Sequence, residues 1–256
     1  MKFVRYRADA RQHYGRLHDD GTIERLKGSP LESSAPSGER DRLAAVKLLA
    51  PVDPPRVFGV GLNYAAHARE AGQPVPQFPM LFMKPPTAVI GPEDPIVYPR
   101  QGKRVDYECE LAVVIGRKVR RIPEAQALEA VFGYTCANDV SERSIQFAEM
   151  KTGSMVIGKS FDSFCPLGPV IATGISPGNL DISTRLNGET KQKSNTSDLI
   201  FGVAKLVAYL SDAITLLPGD VIITGTPAGI GPMQAGDTVE IEIEKIGVLR
   251  NPVTAE

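Results

Sequence analysis

The sequence predicts an α+β protein dominated by mixed β structure, with a small β-rich unit at its N-terminus. Short runs rich in β-branched and aromatic residues recur along the chain, separated by Gly, Pro, Asn and Asp turn signals. Helical spacing is confined to a few stretches, the clearest over residues 200–210. No alternating series of strands and helices runs through the chain, which argues against a doubly wound parallel sheet.

At 256 residues the chain can bury a substantial core. Its 29 Lys and Arg against 30 Asp and Glu leave a net charge of -1, so no electrostatic footprint for nucleic acid appears. Anionic small molecules would need a local site. Cys109, Cys136 and Cys165 are widely spaced and form no CxxC, which argues against a disulfide framework or a zinc knuckle and fits a reducing cytoplasm. Charges fill the start of the chain where a signal peptide needs an apolar segment, and no apolar run reaches membrane-spanning length. A soluble, unprocessed, cytoplasmic protein without a membrane partner is the expectation.

In chain order, residues 2–7, 12–17 and 22–26 read as strands with a turn at Asp19-Asp20-Gly21, and residues 1–50 as a small N-terminal domain. Residues 33–38 read as a flexible loop and 51–55 as a stiff linker, leaving 56–256 as the main domain. Residues 56–61 predict a strand, after which Asn63 is expected to cap a helix over 64–71 ended by Gly72. Gly59 and Gly61 before this helix, and Pro74, Pro76 and Pro79 after it, give it the punctuation of a movable lid. The Gly59-x-Gly61 pair is not a dinucleotide fingerprint, because Tyr64 stands where the third Gly belongs.

Short strands at 80–84 and 96–98 lead to Tyr107-Glu108-Cys109-Glu110-Leu111, which opens the apolar run Leu111-Ala112-Val113-Val114-Ile115. On one strand Glu108 and Glu110 share a face with Cα atoms roughly 6.5 to 7 Å apart. Ala112 and Val114 continue that face into a core, so two carboxylates repel where desolvation is costly, and a bound cation is the simplest remedy. In Val239-Glu240-Ile241-Glu242-Ile243-Glu244 acidic residues keep strict step with apolar ones, as on a strand with one wet face. Alternation alone leaves Glu108 and Glu110 open between metal ligands and surface charge.

Residues 123–130 read as a helix, 132–137 as a strand with Asp139 at its end, and 141–150 as a helix. Residues 158–162 and 165–169 read as irregular before a strand at 170–173, followed by a strand over 180–187 into the turn Asn187-Gly188. After the 200–210 helix, Pro218-Gly219 turns into a buried strand over 220–227 broken by a polar loop, and strands at 238–246 and 248–253 close the chain.

Asn63-Tyr64 with His67-x-x-Glu70, Phe82-x-Lys84-Pro85, Tyr107-Glu108-x-Glu110-Leu111, Asn138-Asp139-Val140-Ser141-x-Arg143-x-x-Gln146, Gly158-Lys159-Ser160-Phe161-Asp162 and Thr224-Gly225-Thr226-Pro227-x-Gly229 together resemble the fumarylacetoacetate hydrolase family. The motifs stand in the family's order and cover the chain from Val57 onward. The likeness is greatest to the compact branch of acylpyruvases, oxaloacetate decarboxylases and diene-dioate isomerases. It implies a rolled β-sandwich or barrel, commonly as a homodimer. It further implies one Mg²⁺ or Mn²⁺ per subunit on Glu108, Glu110 and Asp139, a donor set whose hard oxygens suit those ions. By the same resemblance His67 and Glu70 form a lid dyad that activates water or shuttles a proton, and Lys159 stabilises a developing oxyanion. Arg143, Gln146 and Thr226 hold the substrate, with Tyr64 and Lys84 as lesser contacts that orient the loop or lid. The implied substrate is a 2-oxo or 2,4-dioxo acid. The implied reaction is hydrolysis of a carbon-carbon bond through a metal-bound enolate, with isomerisation of a hydroxy-diene-dioate or decarboxylation of an oxaloacetate-type acid as the alternative.

Overall fold

Strand Cys109–Ile115 is buried at every residue and separates two apolar cores. Cys109, Leu111, Val113 and Ile115 face the larger core with Phe58 and Val60, while Ala112 and Val114 face the smaller one with Phe3 and Ile223. A strand covered on both faces reads as a continuous apolar run, which is how this one reads after Glu110. The structure is a computed structural model that describes residues 1–54 and 56–256. Pro55, at the end of the expected linker, lies outside the described residues.

The large sheet runs in the order Pro36–Arg42, Thr22–Leu26, Arg11–Leu17, Lys2–Ala8, Cys165–Ala172, Val131–Asn138, Cys109–Ile115, Val221–Ile223, Val57–Gly61 and Met80–Lys84. The N-terminal strands are therefore continuous with it, through Lys2 opposite Ala172 and Phe3 opposite Ile171. A second sheet joins Glu189–Asn195, Asp181–Leu186, Thr238–Ile243, Gly247–Ala255 and Ile96–Tyr98, and a small third sheet joins Ser141–Glu142, Val105–Tyr107 and Gly231–Met233. The architecture is an α+β sandwich of open sheets; the barrel alternative is not realised. Helix Val203–Ala213 buries Val203, Leu206, Val207 and Leu210 against the larger core. No helix among the described residues is long and apolar enough to cross a membrane.

Four local expectations change. The strand through Glu108 is not continuous: Val105–Tyr107 belongs to the small sheet and Cys109–Ile115 to the large one. At the break, Glu108 N–H donates to Asn138 Oδ1 at 2.9 Å and Glu108 C=O accepts from Asp139 N–H at 2.9 Å. Asn63 does not cap its helix, which spans Ala65–Glu70 after Tyr64, because its amide is committed to Phe201 and to Thr224 O. Residues 36–38 are not loop but open the edge strand Pro36–Arg42, whose exposed polar side chains give no alternation to read. Strand Cys165–Ala172 begins five residues ahead of the expected start at 170: Pro166 pairs with Ile90, and Pro169 falls at an irregularity in the pairing with Val131–Asn138, although both read as breakers.

Candidate metal centre and active site

The break at Glu108 brings three strand ends together. Glu108 sits at the handover between sheets, Glu110 lies just past it, and Asp139 follows the last residue of Val131–Asn138. One carboxylate oxygen from each of the three lies within 4.8 Å of the others, and all three side chains are buried. Asp139, at a strand end, is thus brought to the pair with which the resemblance groups it.

Cations line one side of this cluster. Lys159 Nζ donates to Glu108 Oε2 at 2.8 Å and Asp139 Oδ2 at 2.6 Å, and lies 5.0 Å from the centroid of the Phe82 ring. Arg143 divides its guanidinium among Glu108 Oε1, Asp106 Oδ2 at 2.9 Å and Gln146 Oε1 at 2.7 Å. Burial works to raise the Glu108 carboxyl, but Arg143 and Lys159 hold it well below the ordinary carboxylate range. Glu110 goes the other way, pushed well above that range by burial and then by Asp139 and Glu108. Burial works to lower Lys159, and the same two acids, Asp139 and Glu108, bring it out above the usual lysine value.

The donor set fits a hard divalent cation. Glu110 accepts one N–H, from Gly225 at 2.6 Å, and has two acidic neighbours but no side-chain ion pair among the described residues. Asp139 Oδ1 is buried and, among the described residues, has no well-aligned hydrogen-bond donor. Lys84 Nζ lies 2.7 Å from it, but the carbonyls of Val140, Lys159 and Phe164, at 3.0, 2.6 and 2.9 Å, compete for the same three N–H. Among the described residues, an oxygen short of donors beside a carboxylate without an ion-pair partner is what the site of a hard divalent cation presents.

A cavity of about 750 Å³ opens onto Glu108, Glu110, Lys159 and Arg143. His67, Glu70, Gln146 and Thr226 also line it. His67 Nδ1 is 3.1 Å from Glu70 Oε2, and Glu70 Oε1 accepts from Gly229 N–H at 3.0 Å, so the pair is tied to the loop after Val221–Ile223. Gln146 Nε2 has Met155 Sδ as its partner at 3.3 Å, a weak acceptor that a substrate oxygen would outcompete.

Tyr64 and Lys84 do not line this cavity. Tyr64 is packed in the larger core, and Lys84 stands behind Asp139, which gives both a supporting place. Two glycines permit close approach. A Cβ on Gly158 would come within 2.6 Å of Gln146 N, separating the turn of Lys159 from helix Arg143–Met150. Gly225 has φ +101°, and a Cβ there would meet the Cβ of Asn63 at 2.6 Å.

Sequence reasoning missed several polar groups that hold the site. Asp106 is fully buried between Arg143 and Arg104. Glu149 accepts from the N–H groups of Val156, Ile157 and Gly158 and so fixes the turn leading to Lys159. Gln192, from the second sheet, reaches both Cys109 N–H and the Thr226 hydroxyl. Of these, Asp106 alone carried a signal, as a charge directly beside the Glu108 strand.

Residues 56–254 match the fumarylacetoacetate hydrolase C-terminal family, and residues 1–51 match an N-terminal family described as Rv2993c-like. The chain is 43% identical over 220 residues to the mitochondrial oxaloacetate tautomerase of Xenopus laevis, covering 81% of this chain and 68% of that protein. Among solved structures, a 5-carboxymethyl-2-hydroxymuconate delta-isomerase from Mycobacterium smegmatis is 41% identical with a TM-score of 0.93, covering 100% of both chains. A fumarylacetoacetate hydrolase from Exiguobacterium antarcticum is 37% identical with a TM-score of 0.88, again over 100% of both.

Proposed function

Because this chain belongs to the fumarylacetoacetate hydrolase family, we propose that it is a divalent-metal-dependent enzyme forming the enolate of a 2-oxo acid, and that it cleaves a carbon-carbon bond of a 2,4-dioxo acid. One observation carries this reading: the Glu108 and Glu110 carboxylates and the His67–Glu70 pair line the same cavity. A divalent cation held by Glu108, Glu110 and Asp139 would act as a Lewis acid toward the substrate's 2-oxo oxygen and carboxylate.

The chain's own groups supply the remaining steps. With Glu70 as carboxylate, His67 keeps its proton on Nδ1 and presents the Nε2 lone pair as a base. His67 Nε2 takes a proton from water, which adds to the carbonyl at C4. The C3–C4 bond breaks, its electron pair passes to the 2-oxo group as an enolate, and an acid is released. Lys159 has one N–H beyond those given to Glu108 and Asp139, enough to donate to the enolate oxygen. Protonation at C3 by His67 completes a 2-oxo acid product. Gln146 and Thr226 are assigned to hold the substrate's polar groups, and Arg143 to keep Glu108 in place.

A second reading, keto-enol or double-bond isomerisation through the same enolate, is favoured by the names of the Xenopus laevis and Mycobacterium smegmatis relatives. A panel of acylpyruvates, oxaloacetate and hydroxy-diene-dioates assayed with Mg²⁺ separates the readings. In Glu70→Ala, acylpyruvate hydrolysis should fall by about 10² to 10⁴, a general-base contribution, with Mn²⁺ affinity nearly intact. Turnover of oxaloacetate should fall less, since no water need be activated. Equal losses on both substrates would remove the dyad from water activation and favour the second reading.

A further inference from the structure

The side chain of Gln192 has unambiguous polarity. It is 1% exposed, in the otherwise polar strand Glu189–Asn195, and reaches across to the strand of the acidic pair. Cys109 N–H, between Glu108 and Glu110, donates to its Oε1 at 3.0 Å. Its Nε2 donates to the carbonyl of Pro227 at 2.8 Å. A backbone N–H can only donate and a carbonyl can only accept, so these two partners fix which end of the amide is oxygen. The hydroxyls at the other two contacts have no choice. Thr184 Oγ1 must donate to Oε1 at 2.7 Å, and Thr226 Oγ1 must accept from Nε2 at 2.8 Å.

The consequence falls on Thr226, which lines the cavity and is 2% exposed. One lone pair of its oxygen accepts from Gln192, so its proton must point elsewhere, and among the described residues no acceptor takes it. Gly225 N–H is committed to Glu110 Oε2, which holds the adjacent peptide against the acidic cluster. We infer that Gln192 is a positioning residue that keeps the Thr226 hydroxyl proton free for the cavity, so that the site favours an anionic or strongly accepting oxygen, such as a 2-oxo acid carboxylate, beside the Glu110 end of the acidic cluster. This rests on the 2-oxo acid reading above and adds a direction to it: the Thr226 proton is kept for the substrate and not consumed by a protein acceptor.

The test uses the full-length Mn²⁺-loaded protein and oxalate, followed by calorimetry, with thermal unfolding recorded for each variant. Thr226→Val should weaken oxalate by about tenfold to a hundredfold, the loss of one hydrogen bond to a charged acceptor, while Thr226→Ser stays within about threefold of the unaltered protein. Gln192→Glu places an acceptor where Nε2 stood and turns the Thr226 proton back toward itself, so it should weaken oxalate comparably. In a Thr226→Val background the same change should add less than about threefold. Thr184→Val disturbs the amide from its other end, and should lower the unfolding temperature without weakening oxalate; it decides the question even where Gln192→Glu does not fold. Equal losses from Gln192→Glu in both backgrounds, or a Thr184→Val protein as weak toward oxalate as Thr226→Val, would reduce Gln192 to structural support and overturn the inference. Oxalate binding that Thr226→Val leaves intact overturns it as well. Failure of the unaltered protein to bind oxalate overturns the 2-oxo acid reading itself, and the inference with it.

Discussion

Two Glu-x-Glu strands in one chain have opposite fates. Glu240 and Glu242 lie on Thr238–Ile243 with Val239, Ile241 and Ile243 buried between and beyond them, and a single Arg185 from the neighbouring strand forks onto both. Their side chains remain 25% and 46% exposed. Glu108 and Glu110 are 3% and 1% exposed, and a third acid, Asp139, joins them. Where one face of a strand meets water, a single basic residue is company enough for two acids. Where both faces are covered, cations must be built in from several elements, here Lys159, Arg143 and Lys84, and among the described residues Glu110 still has no ion-pair partner. Alternation therefore measures facing, and the partners decide function.

The largest contrast should appear in stability. Glu108→Ala, studied with chelator so that no metal contributes, leaves Lys159 and Arg143 buried with fewer anions and should cost about 3 to 5 kcal/mol in urea unfolding. Glu240→Ala, which removes one exposed partner of Arg185, should cost no more than about 1 kcal/mol. Similar costs at both sites would mean that the inner acids are solvated like the outer ones.

Metal affinity should sharpen the distinction. Titration of Mn²⁺ into Asp139→Ala should show binding weakened by about tenfold or more, since one of three charged ligands is gone, whereas Glu242→Ala should bind as the unaltered protein does. Unchanged affinity in Asp139→Ala would remove the acidic cluster as the metal site. The smallest effect belongs to Arg185→Ala, expected to destabilise by about 0.2 to 1 kcal/mol at low salt and by almost nothing at 1 M salt, where exposed charges are screened.

The parts of this contrast that depend on facing were legible in the sequence. The wet alternation of 239–244, the apolar run after Glu110 and the carboxylate at a strand end all have local periodic or positional signatures, and each has the expected place in the structure. What lay hidden are groups whose role comes from a distant partner. Gln192 sits in Glu-Thr-Lys-Gln-Lys-Ser-Asn, where no apolar neighbour marks a buried face, and its burial results from the packing of another sheet's loop over it. Asn63 looks like a helix cap because Asn commonly is one, and its commitment to Phe201 and Thr224, more than a hundred residues away, leaves no local trace. The handover at Glu108 was hidden for a related reason: an apolar run does not say which neighbours it pairs with, and the pairing changes there from one sheet to another.

That handover makes the acidic pair a gauge of sheet geometry. Glu108 stands outside both ladders and is tied to Asn138 and Asp139, so its distance from Glu110 depends on how the small sheet is joined to the large one and not on the pleat of a single strand alone. The chelate bite offered to an ion is then a property of how two layers are stacked. A bound cation would act as a strut across the joint, and packing changes along Val105–Tyr107 or Gly231–Met233 would be felt as a change in metal preference, although no side chain of the second strand is among the ligands.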